Sequence, residues 1–269
     1  MKFKNFYLGF CFSILLGCIV YCIPLVAAQN NLHHHSKKKK KEKKKSPIIT
    51  NGPRDKKMIA LTFDADMNYA MKGELKKGNI SSFYNKEVIA ILIKYKIKAT
   101  LFLTGMWVEE YPNVAKELAN NPLFEIENHL YSHLAFIKHG CYGLGGIAKS
   151  EMSNDLKKSQ ESIIKFTGKK PTYFRFPGGC YDDYSLKAVN DFGLTPVQWD
   201  VSSGDAYLKD ANKIASQTKR RIKNGSIVVM HMNGGPHCPA TAEALKILLP
   251  QLINEHYQFV TLNELLKQK

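Results

Sequence analysis

The sequence contains no Cys-x-x-Cys spacing, so it does not predict a structural zinc site of the zinc-finger or zinc-ribbon type. Cysteine is scarce: three of the six lie within the first 22 residues, and the others are Cys141, Cys180 and Cys238. Because an odd number cannot pair completely, an oxidising compartment allows one disulfide with one free thiol, or no disulfide.

Glycine and proline are not in excess, with 18 and 11 among 269 residues, which excludes collagen-like and low-complexity chains. Hydrophobic residues make up 44% of the sequence. The roughly 220 residues beyond the N-terminal segment are enough for one α/β domain with a sizeable core.

No charged residue occurs from Phe6 to Ala28, and two lysines precede this run. The small residues at its end predict cleavage after Ala28, so residues 1–28 are interpreted as a signal peptide. The run is longer than a usual signal core, so a retained N-terminal membrane anchor is the alternative. Leu15-Leu16-Gly17-Cys18 also resembles a lipid-attachment site, although it lies inside the apolar run. Each version places the body outside the cytoplasm, in the periplasm or cell envelope or as a secreted protein.

Basic residues exceed acidic ones by 39 to 23, a net charge of +16. Residues 1–45 carry +9 of this, mainly in Lys37–Lys45 behind His33-His34-His35. Such a block stays solvated, so residues 29–56 are predicted to be a disordered Lys/His-rich linker. It can act as a spacer or as a tether to an anionic envelope surface. Nucleic-acid binding is not predicted, because the excess charge lies in an exported tail rather than on a folded face.

From residue 57 to residue 269, short apolar runs alternate with longer amphipathic stretches, the pattern of parallel strands joined by helices. About seven such units predict one α/β domain built as a barrel. Two insertions, Asn68–Ser82 and Phe136–Ala148, are expected to be functional or mobile loops. Strands are expected at 58–63, 99–104, 124–127, 172–176, 195–199, 226–230 and 258–260, and helices at 86–96, 112–120, 150–166, 243–256 and 262–266.

Ionisable side chains follow five of these strands. In a parallel barrel the C-terminal ends of the strands share one rim, where catalytic groups collect, so we expect these side chains to lie together. They are Asp64 and Asp66 after the first strand, His129 and His133 after the third, Arg175 at the end of the fourth, Asp200 and Asp205 after the fifth, and His231 after the sixth.

His129 and His133 are four residues apart, which on a helical turn puts both imidazoles on one face. With a carboxylate they predict a site for zinc or another divalent transition metal that leaves room for water. A metal lowers the pKa of bound water and polarises a carbonyl oxygen. A carboxylate can take a proton from that water, and a histidine can protonate a leaving amine. Together these groups predict metal-assisted amide hydrolysis.

The same segments resemble the polysaccharide deacetylases, which share the NodB homology domain and form the family-four carbohydrate esterases. Five motifs match in order between residues 57 and 266. The family's Thr-Phe-Asp-Asp-Gly, Asn-His-Thr-x-Ser-His and Phe-Arg-x-Pro-x-Gly motifs correspond to Thr62–Asp66, Asn128–His133 and Phe174–Gly179. Its Asp-x-x-Asp-Trp segment and its Leu-x-x-His strand correspond to Trp199–Asp205 and Ile227–His231.

The resemblance implies a distorted (β/α)7 barrel that removes N-acetyl or O-acetyl groups from peptidoglycan, chitin or a related polymer with the help of a divalent metal. Carried over by position, it makes Asp64 the base, Arg175 the tether of that base, His129 and His133 metal ligands, Pro177 and Gly178 the substrate-binding and oxyanion turn, and His231 the general acid tuned by Asp205.

Several positions depart from the family pattern. Ala65 stands where the family has a metal-binding Asp, and Asp66 follows at the usual Gly. We hypothesise that Asp66 ligates the metal instead; otherwise two histidines alone would give weak affinity. Ser202 and Ala206 replace an Asp and a Trp, and Gly178 replaces a common aromatic, which implies a more open sugar subsite.

Ala65 also supports an alternative class, a catalytically impaired sugar-binding member of the same fold. A further alternative is an envelope adaptor that works through its lysine tract. The cysteines of the body all fall in loops near the predicted rim, so two of them are expected to pair across the site.

Overall fold

The computed structural model describes residues 47–267, and this part of the chain contains eight strands. Most of them are short. They are β1 (Met58–Ala65), β2 (Ala99–Leu103), β3 (Phe124–Asn128), β4 (Tyr173–Phe174), β5 (Thr195–Pro196), β6 (Val201–Ser202), β7 (Ile227–His231) and β8 (Gln258–Phe259).

Nine α-helices lie between or after these strands in the described residues, together with one 3₁₀ turn at Pro177–Gly179. The helices are α1 (Tyr69–Lys77), α2 (Lys86–Lys94), α3 (Gly105–Glu110), α4 (Pro112–Asn120), α5 (Lys149–Thr167), α6 (Asp183–Phe192), α7 (Ala211–Arg221), α8 (Thr241–Asn254) and α9 (Leu262–Leu266).

The strands form one parallel sheet in the order β5-β4-β3-β2-β1-β7-β6, and β8 pairs with the beginning of β1. The central strand β1 has β2 on one side and β7 on the other. Because every pairing is parallel, the C-terminal ends of the strands lie at one edge. The sheet is curled and flanked by helices, which confirms the expected α/β class and distorted (β/α)7 barrel.

The core lies around β1, which is buried at all eight positions. A strand buried on both faces suits a parallel sheet covered by helices. The main apolar cluster joins Leu61 and Phe63 to Leu92 of α2 and Leu245 of α8. Burial of this surface stabilises the fold by about 25 cal/mol per Å², so the core holds the polar end of β1 in a fixed place.

Five of these elements were not predicted from the sequence: helices α1, α3, α6 and α7, and strand β6. The expectation of a loop at Asn68–Ser82 is wrong over α1, which begins where the Asn68 side chain accepts a hydrogen bond from the Met71 N–H and ends at the left-handed Gly78. Helix α6 likewise begins with a capping box of Asp182 and Ser185. Both caps are visible in the sequence, whereas the apolar pattern of α1 is weak, with Met71 its only buried residue.

Contacts with the barrel begin upstream of the predicted boundary at Lys57. The Ile49 N–H donates to the Pro196 carbonyl oxygen, and Arg54 pairs with Asp200 at 2.7 Å. The predicted signal peptide and most of the predicted linker, including Lys37–Lys45, lie outside the described residues. Between residues 47 and 267 no helix is long and apolar enough to cross a bilayer.

Candidate active site and metal-binding residues

The end of β1 presents two carboxylates to the rim. Residues two apart on an extended chain face the same side, so Asp64 and Asp66 point the same way while Ala65 between them lies in the apolar core. The Asp66 backbone is tied to the loop after β7, because its N–H donates to the Asn233 side chain, whose amide donates back to the Asp66 carbonyl oxygen.

The two histidines approach from the loop after β3. The helical turn expected for His129 and His133 is not formed; Leu130 and His133 instead have φ of +71° and +54°. Asp155 of α5 fixes this loop by accepting hydrogen bonds from the Tyr131 N–H and the Ser132 hydroxyl. The left-handed residues bend the loop so that both imidazoles still face Asp66.

Asp66, His129 and His133 form a cluster suited to a divalent cation. Asp66 Oδ1 lies 3.4 Å from His129 Nε2 and 3.2 Å from His133 Nε2. Asp66 Oδ1 and His129 Nε2 are buried without a hydrogen-bond partner in the described structure. His129 Nδ1 lies 2.9 Å from the Arg175 carbonyl oxygen, so it carries the proton and leaves the Nε2 lone pair free for a metal.

The protonation states of these residues also suit the binding of a divalent cation. Burial lowers the pKa of His133 to about 4, although Asp66 opposes this shift, so the imidazole is neutral at pH 7, as a ligand must be. Burial by itself raises the pKa of Asp66, but His133, His129 and His231 outweigh it and hold that pKa well below its usual range. A neutral imidazole beside a carboxylate matches the donor set that zinc prefers.

Asp64 lies beside the cluster but is held by a different partner. Its Oδ1 accepts a hydrogen bond from Arg175 at 2.7 Å, and its Oδ2 lies 3.6 Å from His129 Nε2. Arg175 is fully buried and stacks on the ring of Phe102, with 4.0 Å from its guanidinium carbon to the ring centroid. One carboxylate oxygen is therefore fixed and the other faces the candidate metal site.

On the opposite side, His231 ends β7 with its Nδ1 2.9 Å from Asp205 Oδ1 and its Nε2 3.9 Å from Asp66 Oδ2. Burial alone lowers the pKa of His231, but the Asp205 carboxylate dominates and raises it to about 10. The imidazole is therefore protonated at neutral pH, with Nε2 turned toward the site. Asp205 is held in turn by the hydroxyls of Ser203 and Thr241, two supports that the sequence did not reveal.

A second set of possible metal ligands consists of Asp205, His231 and Cys238. Both oxygens of Asp205 already accept hydrogen bonds from His231. Burial raises the pKa of the Cys238 thiol far above its usual range, which keeps it protonated and a poor ligand. The first cluster, with its unpartnered buried atoms, is the better metal site.

The turn after β4 lies at the same rim. Gly179 and Cys180 donate their N–H groups to the carbonyl oxygens of Phe176 and Pro177. Gly178 is exposed and left-handed, with φ of +62°. Cys180 pairs with Cys141 of the Phe136–Ala148 loop, which confirms that two of the three cysteines pair, and Cys238 remains a buried free thiol. Both sulfurs lie next to Gly178.

Asp200 is the one predicted rim carboxylate that the structure leaves out of the site. Its carboxylate accepts hydrogen bonds from Arg54, from the Ser226 hydroxyl and from the Ile227 N–H, so it joins the N-terminal residues to β7. The other predicted residues after strand ends converge on one region. Asn233 was not predicted, and its only signal was its position two residues beyond His231.

Comparison with known proteins agrees with this geometry. The polysaccharide deacetylase family model matches residues 51–197. A peptidoglycan-N-acetylglucosamine deacetylase of Bacillus cereus is 29% identical over 79% of this chain and 69% of its own length. The peptidoglycan-N-acetylmuramic acid deacetylase PdaA of Bacillus subtilis is 25% identical over 81% of this chain and 74% of its own length. The crystal structure of a CE4 family pseudoenzyme from Bacillus anthracis superposes with a TM-score of 0.68 at 27% identity, covering 83% of this chain and 70% of the other.

Proposed function

The chain belongs to the polysaccharide deacetylase family, and we propose that it is a metal-dependent hydrolase that removes acetyl groups from an envelope polysaccharide. The proposed substrates are N-acetyl groups of peptidoglycan or of a chitin-type polymer, and O-acetyl groups are the alternative. One observation carries the proposal: Asp66, His129 and His133 point their ligand atoms at one place beside Asp64 and His231, and Asp66 Oδ1 and His129 Nε2 are buried there without a hydrogen-bond partner.

Asp66, His129 and His133 are the residues proposed to hold the metal, and their donor set favours zinc. When bound, such an ion supplies Lewis-acid activation of water and of the acetyl carbonyl. In this assignment Asp66 takes the place of the aspartate that is missing at position 65. The shared side of Asp64 and Asp66 on the extended chain supports the replacement.

Asp64 is the proposed base. Arg175 occupies Oδ1, so Oδ2 is the oxygen left to accept the proton of the attacking water. The buried guanidinium fixes the carboxylate's orientation, which removes the cost of arranging it during the reaction.

His231 is the proposed acid, and Gly178 the proposed oxyanion donor. His231 carries the proton that the leaving amine requires, and Asp205 stabilises that protonated form. The Gly178 N–H donates to the oxygen that becomes negative as water adds to the carbonyl carbon, with Pro177 shaping the turn. Base and acid thus act from opposite flanks of the substrate.

Asp205→Asn tests the acid assignment through the pH profile. Since the Asp205 carboxylate raises the pKa of His231 and burial lowers it, removing the charge lowers that pKa. His231 is active only when protonated, so the alkaline fall in kcat/KM is expected to move to lower pH. Asp200→Asn is the matched control, because that carboxylate binds Arg54 and β7 outside the site. An unchanged alkaline limb in Asp205→Asn would contradict the assignment.

The flanking segments have proposed roles as well. We assign residues 1–28 to a signal peptide or anchor, residues 29–56 to a linker with Lys37–Lys45 as a tether to anionic polymer, and residues 57–269 to the deacetylase domain. The end of the linker, from Ile49 to Arg54, packs on that domain. Export to the periplasm, the envelope or the medium is supported by the disulfide and by relatives named for peptidoglycan.

The second candidate function is sugar binding without catalysis. It is favoured by Ala65 at the position of the family aspartate and by the structural likeness to a pseudoenzyme. Acetate release from peptidoglycan, chitin oligomers and acetylated xylan, assayed side by side, separates the two. The proposed hydrolase releases acetate from at least one of them and purifies with about one divalent ion per chain. A binder releases none from any.

A further inference from the structure

The loop that follows the metal-site residue His133 closes into a hairpin beside the oxyanion turn. Cys141 and Leu144 exchange backbone hydrogen bonds of 3.2 and 2.8 Å, with Tyr142 and Gly143 as the two residues of the turn. A Cβ added at Gly146 would lie 2.2 Å from the Lys138 carbonyl oxygen, so the loop is folded tightly on itself. The hairpin therefore has a defined shape.

The hairpin is fixed against Gly178. The Cys141–Cys180 disulfide joins it to the segment that carries Gly178. A Cβ on Gly178 would lie 3.1 Å from Leu144 Cδ1 and 3.5 Å from each sulfur. The absence of a side chain at Gly178 thus lets the hairpin form the adjacent wall of the site.

Tyr142 occupies the tip in an unfavourable backbone conformation. Its φ is +48° and the residue is 89% exposed. Turns with two left-handed residues favour Asn, Asp or Gly, and a bulky residue at positive φ is an outlier. The backbone of Tyr142 is strained and its exposed ring buries no apolar surface, so the residue does not stabilise the hairpin. This favours a role in binding a ligand that arrives from solvent.

We propose that Tyr142 is a sugar-binding platform, on which a pyranose ring flanking the acetylated residue stacks its apolar face. A tyrosine offers a flat apolar ring with a hydroxyl tip, which matches a sugar's C–H face and its rim of hydroxyls. The disulfide holds the platform at a fixed distance from Gly178. This assignment rests on the proposed function, and it makes the preferred substrate a chain of several β-1,4-linked N-acetylhexosamines rather than a single sugar.

The test compares a substrate with flanking sugars to one without. Tyr142→Ala is expected to raise KM for the β-1,4-linked N-acetylglucosamine tetramer about three- to tenfold, the range that loss of an aromatic contact gives. Its kcat for the tetramer and its kcat/KM for 4-nitrophenyl acetate should stay unchanged. Tyr142→Phe keeps the ring and loses only the hydroxyl, so it should raise KM less than Tyr142→Ala does. Phe192→Ala removes an exposed ring at the far end of α6 and serves as the control.

Opening the disulfide with the double variant Cys141→Ser, Cys180→Ser should also raise KM for the tetramer while Tyr142 is present, and a thermal melt checks that the barrel still folds. Calorimetry of tetramer binding to metal-loaded His231→Ala, with and without Tyr142→Ala, measures affinity apart from turnover. If both His231→Ala proteins bind the tetramer with equal affinity, and Tyr142→Ala has the wild-type KM, the platform is wrong. Acetate release by wild type would still support the proposed hydrolase. If the double variant Tyr142→Ala, His231→Ala binds the tetramer more weakly than His231→Ala does, and wild type releases no acetate, the platform is supported and the proposed hydrolase is wrong.

Discussion

Replacing His231 with alanine is expected to lower kcat for acetate release by about 10²–10⁴-fold, the usual contribution of a positioned proton donor. The leaving group of an amide is an amine, which departs only with a proton. His231 holds that proton at neutral pH because Asp205 raises its pKa to about 10. The measurement is steady-state acetate release from the N-acetylglucosamine tetramer by both proteins.

The same replacement should matter far less for 4-nitrophenyl acetate, because 4-nitrophenolate leaves as a stable anion and needs no proton. His237→Ala is the matched control, since that exposed rim histidine packs on Phe83 rather than on Asp205. A loss below tenfold on the tetramer in His231→Ala, or an equal loss on both substrates, would remove His231 from the role of acid.

Replacing Asp66 with alanine is expected to reduce the bound metal from about one ion per chain to nearly none, since two histidines without a carboxylate hold zinc weakly. Activity should fall to background with it. Metal content by atomic emission, measured on protein dialysed against a weak chelator, gives a readout independent of turnover. Thermal unfolding should confirm that the variant is folded.

The double variant Ala65→Asp, Asp66→Gly restores the family's Thr-Phe-Asp-Asp-Gly sequence and makes a sharp control. Ala65 lies in the apolar core with no exposed surface, so a carboxylate there would be buried away from His129 and His133. We expect this variant to bind no metal and to be less stable. Full metal binding by Asp66→Ala would show that Asp66 is not the ligand, and full metal binding by the double variant would show that a carboxylate at position 65 reaches the histidines.

The strands and the residues at their ends could be predicted because both depend on local patterns. The run at 58–63 is apolar except for Thr62, and β1 covers it fully. The position of a polar residue after such a run indicates which edge of a parallel sheet it reaches. The convergence of Asp64, His129, Arg175 and His231 follows from topology alone.

The remaining parts depend on contacts between distant segments. The helical turn at His129 was wrong because Leu130 and His133 take left-handed conformations that Asp155, well beyond the local sequence, stabilises. Helix α1 was missed because its apolar pattern is weak, although its caps were present. The choice of Cys141 and Cys180 over Cys238 depends on how two loops meet, which spacing does not encode.

The proposed hydrolase requires that Asp66, His129 and His133 hold one divalent ion although Ala65 replaces the family ligand. Anomalous diffraction at the zinc edge from crystals of the zinc-loaded protein tests it most directly. One strong peak is expected, about 2.0–2.2 Å from a carboxylate oxygen of Asp66 and from Nε2 of both histidines. A peak without Asp66 in its coordination sphere, or zinc bound only at Asp205, His231 and Cys238, would contradict it.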